Sequence, residues 1–236
     1  MNNSNQYALI TGASSGIGYE LAKLFAADNY NLVLVSRDKE ELDARAAELK
    51  IDGIEVVTIA KDLFNREEAF ALYAEVKQLG LNVTVLVNDA GQGVYGEFKD
   101  TDIDRELDII DLNIASLVIL TKLFLKDMTT SNSGKILNVA SIASKTPGPW
   151  NSIYHGTKAF VLSFTESIRE ELKDFGITVT ALLPGPTDTD FFAKADMEES
   201  RMIQDKDMLS DPADVAMPDS VVAHNMAEQQ KPVDKD

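Results

Sequence analysis

The chain has no cysteine among its 236 residues and only two histidines, His155 and His224. Without thiols there is no disulfide framework, no thiolate nucleophile and no thiolate metal site. Two histidines so far apart make no metal cluster, so no metal is expected. Long apolar runs are missing as well. The longest, "LNIASLVILTKLFL" (112–125), is broken by polar residues and falls short of the roughly 20 residues that span a bilayer. The opening "MNNSNQ" lacks the charged and apolar parts of a signal peptide. A soluble, cytoplasmic protein is therefore expected, and the sequons at Asn2 and Asn82 carry no weight. Positive charge is scarce: 22 Lys and Arg stand against 39 Asp and Glu, for a net charge of −17. Such a balance repels nucleic acid and anionic membrane, so neither is expected as a partner.

What the chain does have is a rhythm. Short runs rich in Val, Ile and Leu recur at 7–11, 31–36, 54–60, 83–88, 134–140 and 177–183. They lack strict alternation, as strands covered on both faces do. Helical patterns fall between them: one behind a Gly-rich turn and running through Ala27, 38–50, about 66–79, a long and kinked region from 102 to about 128, and 152–175. Strand-helix alternation predicts an α/β, doubly wound parallel sheet of Rossmann type. No linker interrupts it, so residues 1–236 are expected to form one domain. In such sheets the ligand crevice lies at the carboxyl ends of the strands.

The first strand runs into "TGASSGIG" (11–18). Gly12, Gly16 and Gly18 permit a tight turn that phosphate oxygens can approach closely, and the helix behind offers free N–H groups to a pyrophosphate. The same turn contains "GASSG" (12–16), which matches a hydrolase nucleophile elbow. An elbow needs an acid and then a histidine later in the chain, and His155 lies inside another motif, so the hydrolase reading is set aside. The second strand ends "VSRD", with Ser36 and Arg37 where dinucleotide binders choose between coenzymes. A small residue followed by arginine favours a 2′-phosphate, hence NADP(H) over NAD(H). The alternative has Arg37 solvated, with Asp38 capping the next helix or meeting a ribose. Past the third strand, Asp62 of "KDL" (61–63) either accepts from an adenine amino group or caps the helix that follows.

"YHGTK" (154–158) places Tyr154 and Lys158 four residues apart, on one face of a helix. Lowering a phenol pKa by about three units takes roughly 4 kcal/mol. One cation about 4 Å away supplies a similar energy at an effective dielectric near 20. Lys158 is thus expected to make Tyr154 a usable acid or base. Ser141, at the end of the fifth strand, is placed to donate to the same substrate oxygen. Asn113, a polar residue in an apolar helical stretch, either holds the kink and a water leading toward Lys158 or is simply exposed.

These residues carry a resemblance. "TGASSGIG", "NDAG" (88–91), Asn113, Ser141, "YHGTK" and "PGPTDT" (184–189) occur in the order and spacing of the short-chain dehydrogenase/reductase family, over Tyr7 to about Thr189. The resemblance implies a seven-stranded Rossmann-type sheet and an Asn-Ser-Tyr-Lys tetrad on Asn113, Ser141, Tyr154 and Lys158. It implies an NAD(P)(H) site built from Gly12, Ser14, Ser15, Gly16, Ile17, Gly18, Ser36, Arg37, Asp62, Leu63, Asn88, Ala90, Gly91, Tyr154, Lys158, Pro184, Gly185, Thr187 and Thr189. A homodimer or homotetramer acting on a small carbonyl or alcohol substrate is implied too. The expected activity is NADPH-dependent carbonyl reduction, reversible as alcohol oxidation; an NADP-binding sensor or scaffold without turnover is the alternative.

The chain departs from the family pattern twice. Asp89 replaces the usual second asparagine of "NNAG", which puts a carboxylate at the sheet centre. After "LSDPADVA" (209–216) only "SVVA" (220–223) offers a seventh strand. Segment 187–210 is expected to act as a mobile lid over the cleft, and 224–236 as a flexible tail.

Overall fold

The computed structural model describes residues 5–49, 53–195, 197 and 209–216. Six strands form one parallel sheet: β1 (Tyr7–Thr11), β2 (Asn31–Ser36), β3 (Val56–Ala60), β4 (Val83–Asn88), β5 (Gly134–Val139) and β6 (Ile177–Leu182), in the order β3-β2-β1-β4-β5-β6. The chain builds outward from β1 to β3, then returns to place β4 beside β1. That reversal opens a crevice past the carboxyl ends of β1 and β4.

Alternate strand residues feed two cores. Leu9, Val33, Val35, Leu86, Ile136 and Val179 face one way, against α3 (Arg66–Gln78), α5 (Leu117–Ser131) and α6 (Ser152–Glu171). Ala8, Ile10, Leu32, Leu34, Val85 and Val87 face the other, against α1 (Gly16–Ala27) and α2 (Lys39–Glu48). Burial on both faces explains why the strands read as continuous apolar runs.

The long helical region is not one helix. It runs as α4 (Ile103–Ile110), a π-helical segment (Asp111–Ser116) and α5, which ends later than expected, where Asn132 turns left-handed at φ 49°. Two short helices follow β6: α7 (Phe191–Lys194), and α8 (Pro212–Ala216), whose Ala216 is buried in the core beside α1. Thr187 and Ser210 pair as an isolated parallel bridge, supported by Asp188 N–H to Ser210 O at 2.9 Å. The ends of the expected lid are thereby tied together. Residues 196 and 198–208 of that segment, the run "SVVA" and the tail 224–236 lie outside the described residues. Among the described residues no helix is long and apolar enough to cross a membrane.

Candidate active site

Helices α2, α3 and α4 begin with side-chain caps, from Asp38, Asn65 and Asp102 respectively. Helix α1 does not: Ser15 stands at its start in extended backbone without a side-chain cap bond. Its N-terminus opens instead on a cavity of about 740 Å³ that runs past the ends of β1, β2, β4, β5 and β6. Gly12 and Gly16, at φ +71° and +58°, make the turn, and a Cβ on Gly16 would lie 2.9 Å from Thr189 Cγ2. An uncapped helix start behind a glycine-bearing turn fits a pyrophosphate.

Most of the expected site residues meet in this cavity. Ser14, Ser15 and Ile17 line it beside the glycines; Ser36, Arg37 and Leu63 line the β2–β3 side. Ala90, Gly91, Ser141, Tyr154, Lys158, Pro184, Gly185, Thr187 and Thr189 complete the β4–β6 side. Four expected residues lie outside the cavity lining. Gly18 packs so closely on the turn that a Cβ there would lie 2.5 Å from Gly12 O. Asn88 is buried, donating to Thr121 Oγ1 and Asn138 Oδ1. Asn113 is 1 % exposed, within the π-helical segment, which rules out the exposed alternative. Its Oδ1 accepts from Gln92 N, and its Nδ2 donates to Gln92 O and Thr157 Oγ1.

Asp62 is the fourth, and the capping role offered for it is wrong. Asn65 caps α3 by accepting from Glu67 N, while the Asp62 carboxylate accepts from Phe64 N in the preceding turn and is exposed. The asparagine stands directly before the first helical residue, where a cap must stand. Asp38 resolves the other way: it caps α2 through the amides of Glu40 and Glu41. Arg37 is not merely solvated, since its guanidinium lies over the Phe64 ring at 4.9 Å.

At the far end of the cavity, Ser141 and Tyr154 line one wall; Ser141 Oγ donates to Pro184 O at 3.5 Å and accepts from Ala143 N. Lys158, 5 % exposed, donates to Val139 O at 2.7 Å, and its ammonium lies 5.8 Å from the Tyr154 ring centre. The electrostatics differ from the sequence expectation. Burial pushes the Tyr154 phenol up to about 12; the Ser141 hydroxyl pulls it down and the charge of Asp89 pushes it further up. Burial likewise pulls Lys158 down to about 8, against the opposing pull of Asp89. The ammonium donates to the Val139 carbonyl and feels the charge of Asp89, while the shift at the phenol is set by burial, Ser141 and Asp89. Asp89 itself is pushed up to about 7 by burial, opposed by Lys158 and by the Gly18 N–H.

Several site residues were not read from the sequence. Gln92, buried, is clamped by Asn113 and bonds Arg105 through its side chain. Phe64, next to the "KDL" motif, carries Arg37 and also Arg105 at 5.4 Å. Asn151 is buried at the cavity wall, and Phe191 lies 5.0 Å from the Tyr154 ring. Aromatic Phe64 and polar Gln92 directly after two motifs were the available signals, and Phe191 is legible only as part of the "FF" run (191–192) that suggests an apolar lid; Asn151 gave none. His155, weighed as a hydrolase base, places Nδ1 2.7 Å from Thr146 O.

Comparison with known proteins accords with this arrangement. The family model for short chain dehydrogenases matches residues 6–200. An uncharacterized oxidoreductase of Staphylococcus aureus (strain USA300) is 31 % identical over 205 residues, 87 % of this chain and 88 % of the relative. A short-chain dehydrogenase from Sphingobium yanoikuyae, solved in complex with NADPH, superposes with a TM-score of 0.85 at 30 % identity, covering 95 % of this chain and 85 % of that one. The bulky-bulky ketone specific alcohol dehydrogenase from Comamonas testosteroni gives 0.80 at 27 %, covering 95 % and 83 %.

Proposed function

Since the chain belongs to the short-chain dehydrogenase/reductase family of nicotinamide-dependent oxidoreductases, we propose that it is an NADPH-dependent carbonyl reductase, reversible as an alcohol dehydrogenase. The observation that carries this reading is the single cavity joining the uncapped start of α1 to the Ser141–Tyr154 pair.

When bound, the reduced nicotinamide supplies a hydride to the carbonyl carbon. The chain's residues do the rest. The Gly12–Gly18 turn and the first amides of α1 hold the pyrophosphate. Arg37, steadied over Phe64, supports the choice of a 2′-phosphate; Asp38 supports it too, since its carboxylate is committed to α2. Lys158 holds the nicotinamide ribose. Ser141 orients the substrate carbonyl and Tyr154 protonates its oxygen. A phenol held near 12 is protonated at neutral pH, which suits an acid in the reductive direction, and the Ser141 hydroxyl eases release of its proton. Asn113 fixes the loop after β4 beside Lys158. Segment 187–210 serves as the lid, with Phe191 over Tyr154. Phe191, Phe192 and Met197 line that end, so the substrate is a carbonyl compound with apolar substituents. Oxidation of NADPH in the presence of a panel of ketones and aldehydes tests the reading. Failure of every carbonyl to consume NADPH or NADH would refute it.

A further inference from the structure

Asp89 is a charged group in the cavity wall that the scheme above leaves unused. It stands where β4 enters "NDAG", and its own N–H donates to Thr11 Oγ1 at 3.0 Å. Its carboxylate turns under the glycine turn. There the Gly18 amide opposes the upward shift of its pKa, and Cβ atoms built on Gly12 and Gly18 would lie 2.9 and 2.6 Å from Oδ2. Gly18 belongs to the first turn of α1. The helix end that faces the cavity from outside therefore already holds an anion from inside. The carboxylate faces Lys158 and Tyr154 from α6 and the Gly18 amide from α1, while the Thr11 hydroxyl from β1 holds the Asp89 main-chain N–H.

We propose that Asp89 takes up a proton when the dinucleotide binds, because its carboxylate and the pyrophosphate compete for the same helix N-terminus. Two anions on one helix dipole repel, and the carboxylate is the one able to discharge itself by protonation. Burial has already moved it to about 7, so a modest added negative charge suffices near neutrality. The step is a simple protonation from solvent; no electron moves. The neutral carboxyl no longer repels the pyrophosphate, and it no longer adds to the upward push on the Tyr154 phenol. Cofactor affinity thereby becomes linked to pH through a residue outside the reacting tetrad. This inference rests on the nicotinamide-cofactor reading.

The test is calorimetric titration of NADPH into the protein at about pH 7.5, in buffers of differing ionisation enthalpy, with Asp89→Asn as the control. The expected result is uptake of about half a proton or more by the native protein beyond that of the variant. The NADPH dissociation constant should rise up to about tenfold per pH unit above neutrality in the native protein and stay within about twofold in the variant. The variant comparison also removes any contribution from the 2′-phosphate. Equal uptake by both proteins would overturn the proposal. Should the variant fold poorly, infrared difference spectra of the native protein decide: NADPH should convert a carboxylate band to a protonated carboxyl band, and its absence would overturn the proposal. Failure of any nicotinamide dinucleotide to bind would instead overturn the functional reading, and this inference with it.

Discussion

Replacing Asn113 with alanine tests how the π-helical segment supports the site. The side chain makes three hydrogen bonds: from Gln92 N at 3.0 Å, to Gln92 O at 2.9 Å and to Thr157 Oγ1 at 3.0 Å. Gln92 is itself buried, so the substitution strands its N–H and its carbonyl away from water. Each stranded backbone group costs about 1–3 kcal/mol. Thr157 suffers less, since its hydroxyl still donates to Tyr154 O at 2.8 Å. The sum is about 2–6 kcal/mol, and partial entry of water into the new space favours the lower half. Urea denaturation of Asn113→Ala should therefore lose about 3 kcal/mol, a large fraction of a domain's usual margin. Turnover should fall too, because a Cβ on Gly91 would lie 3.2 Å from Lys158 Nζ and 3.3 Å from Asn113 Oδ1, so the freed loop adjoins Lys158. A loss below about 1 kcal/mol with an unchanged denaturant slope would refute the clamp.

Arg37→Ala should weaken NADPH binding by about 10- to 150-fold, the worth of a charge-assisted hydrogen bond of about 1.5–3 kcal/mol. NADH binding should move little, and equal losses for both coenzymes in fluorescence titrations would remove Arg37 from 2′-phosphate recognition. Stability should also depend on pH through the buried pair. Asp89 is raised from 3.8 to about 7, so the folded state keeps a proton that the unfolded state has lost, and stability falls as pH rises through that window. Lys158 is lowered from 10.5 to about 8, so stability is regained as pH rises from about 8 toward 10.5. Asp89→Asn should then melt higher than the native protein at about pH 7.5 and show little difference near pH 4. A difference independent of pH would contradict this linkage.

The strand-helix rhythm was legible because both faces of this sheet are covered, and continuous Val, Ile and Leu runs follow from that. Element ends were less so. The helix expected over 152–175 ends at Glu171, and the strand expected from 54 begins at Val56. End positions depend on capping and on neighbours that local pattern does not contain. The meeting of Ser141, Tyr154 and Lys158 in one cavity was legible because they sit at a fixed offset on one helix and at a strand end. The electrostatic outcome at Tyr154 could not, since spacing gives the distance to Lys158 but not the burial of the phenol or the presence of Asp89 nearby. Likewise, the Arg37–Phe64–Arg105 stack joins residues from three separate loops and helices, and only the folded chain brings them together.

The central claim is that Tyr154 delivers the proton in an NADPH-dependent carbonyl reduction. Its most direct test is the Tyr154→Phe variant, which removes only the phenolic oxygen and keeps the ring against Phe191. NADPH affinity and NADPH consumption should be measured side by side with the native protein, using the best carbonyl substrate found. The expected result is affinity within a few-fold of native and turnover lower by at least about 10²-fold, the usual worth of a positioned general acid. Turnover by the variant at the native rate would contradict the assignment.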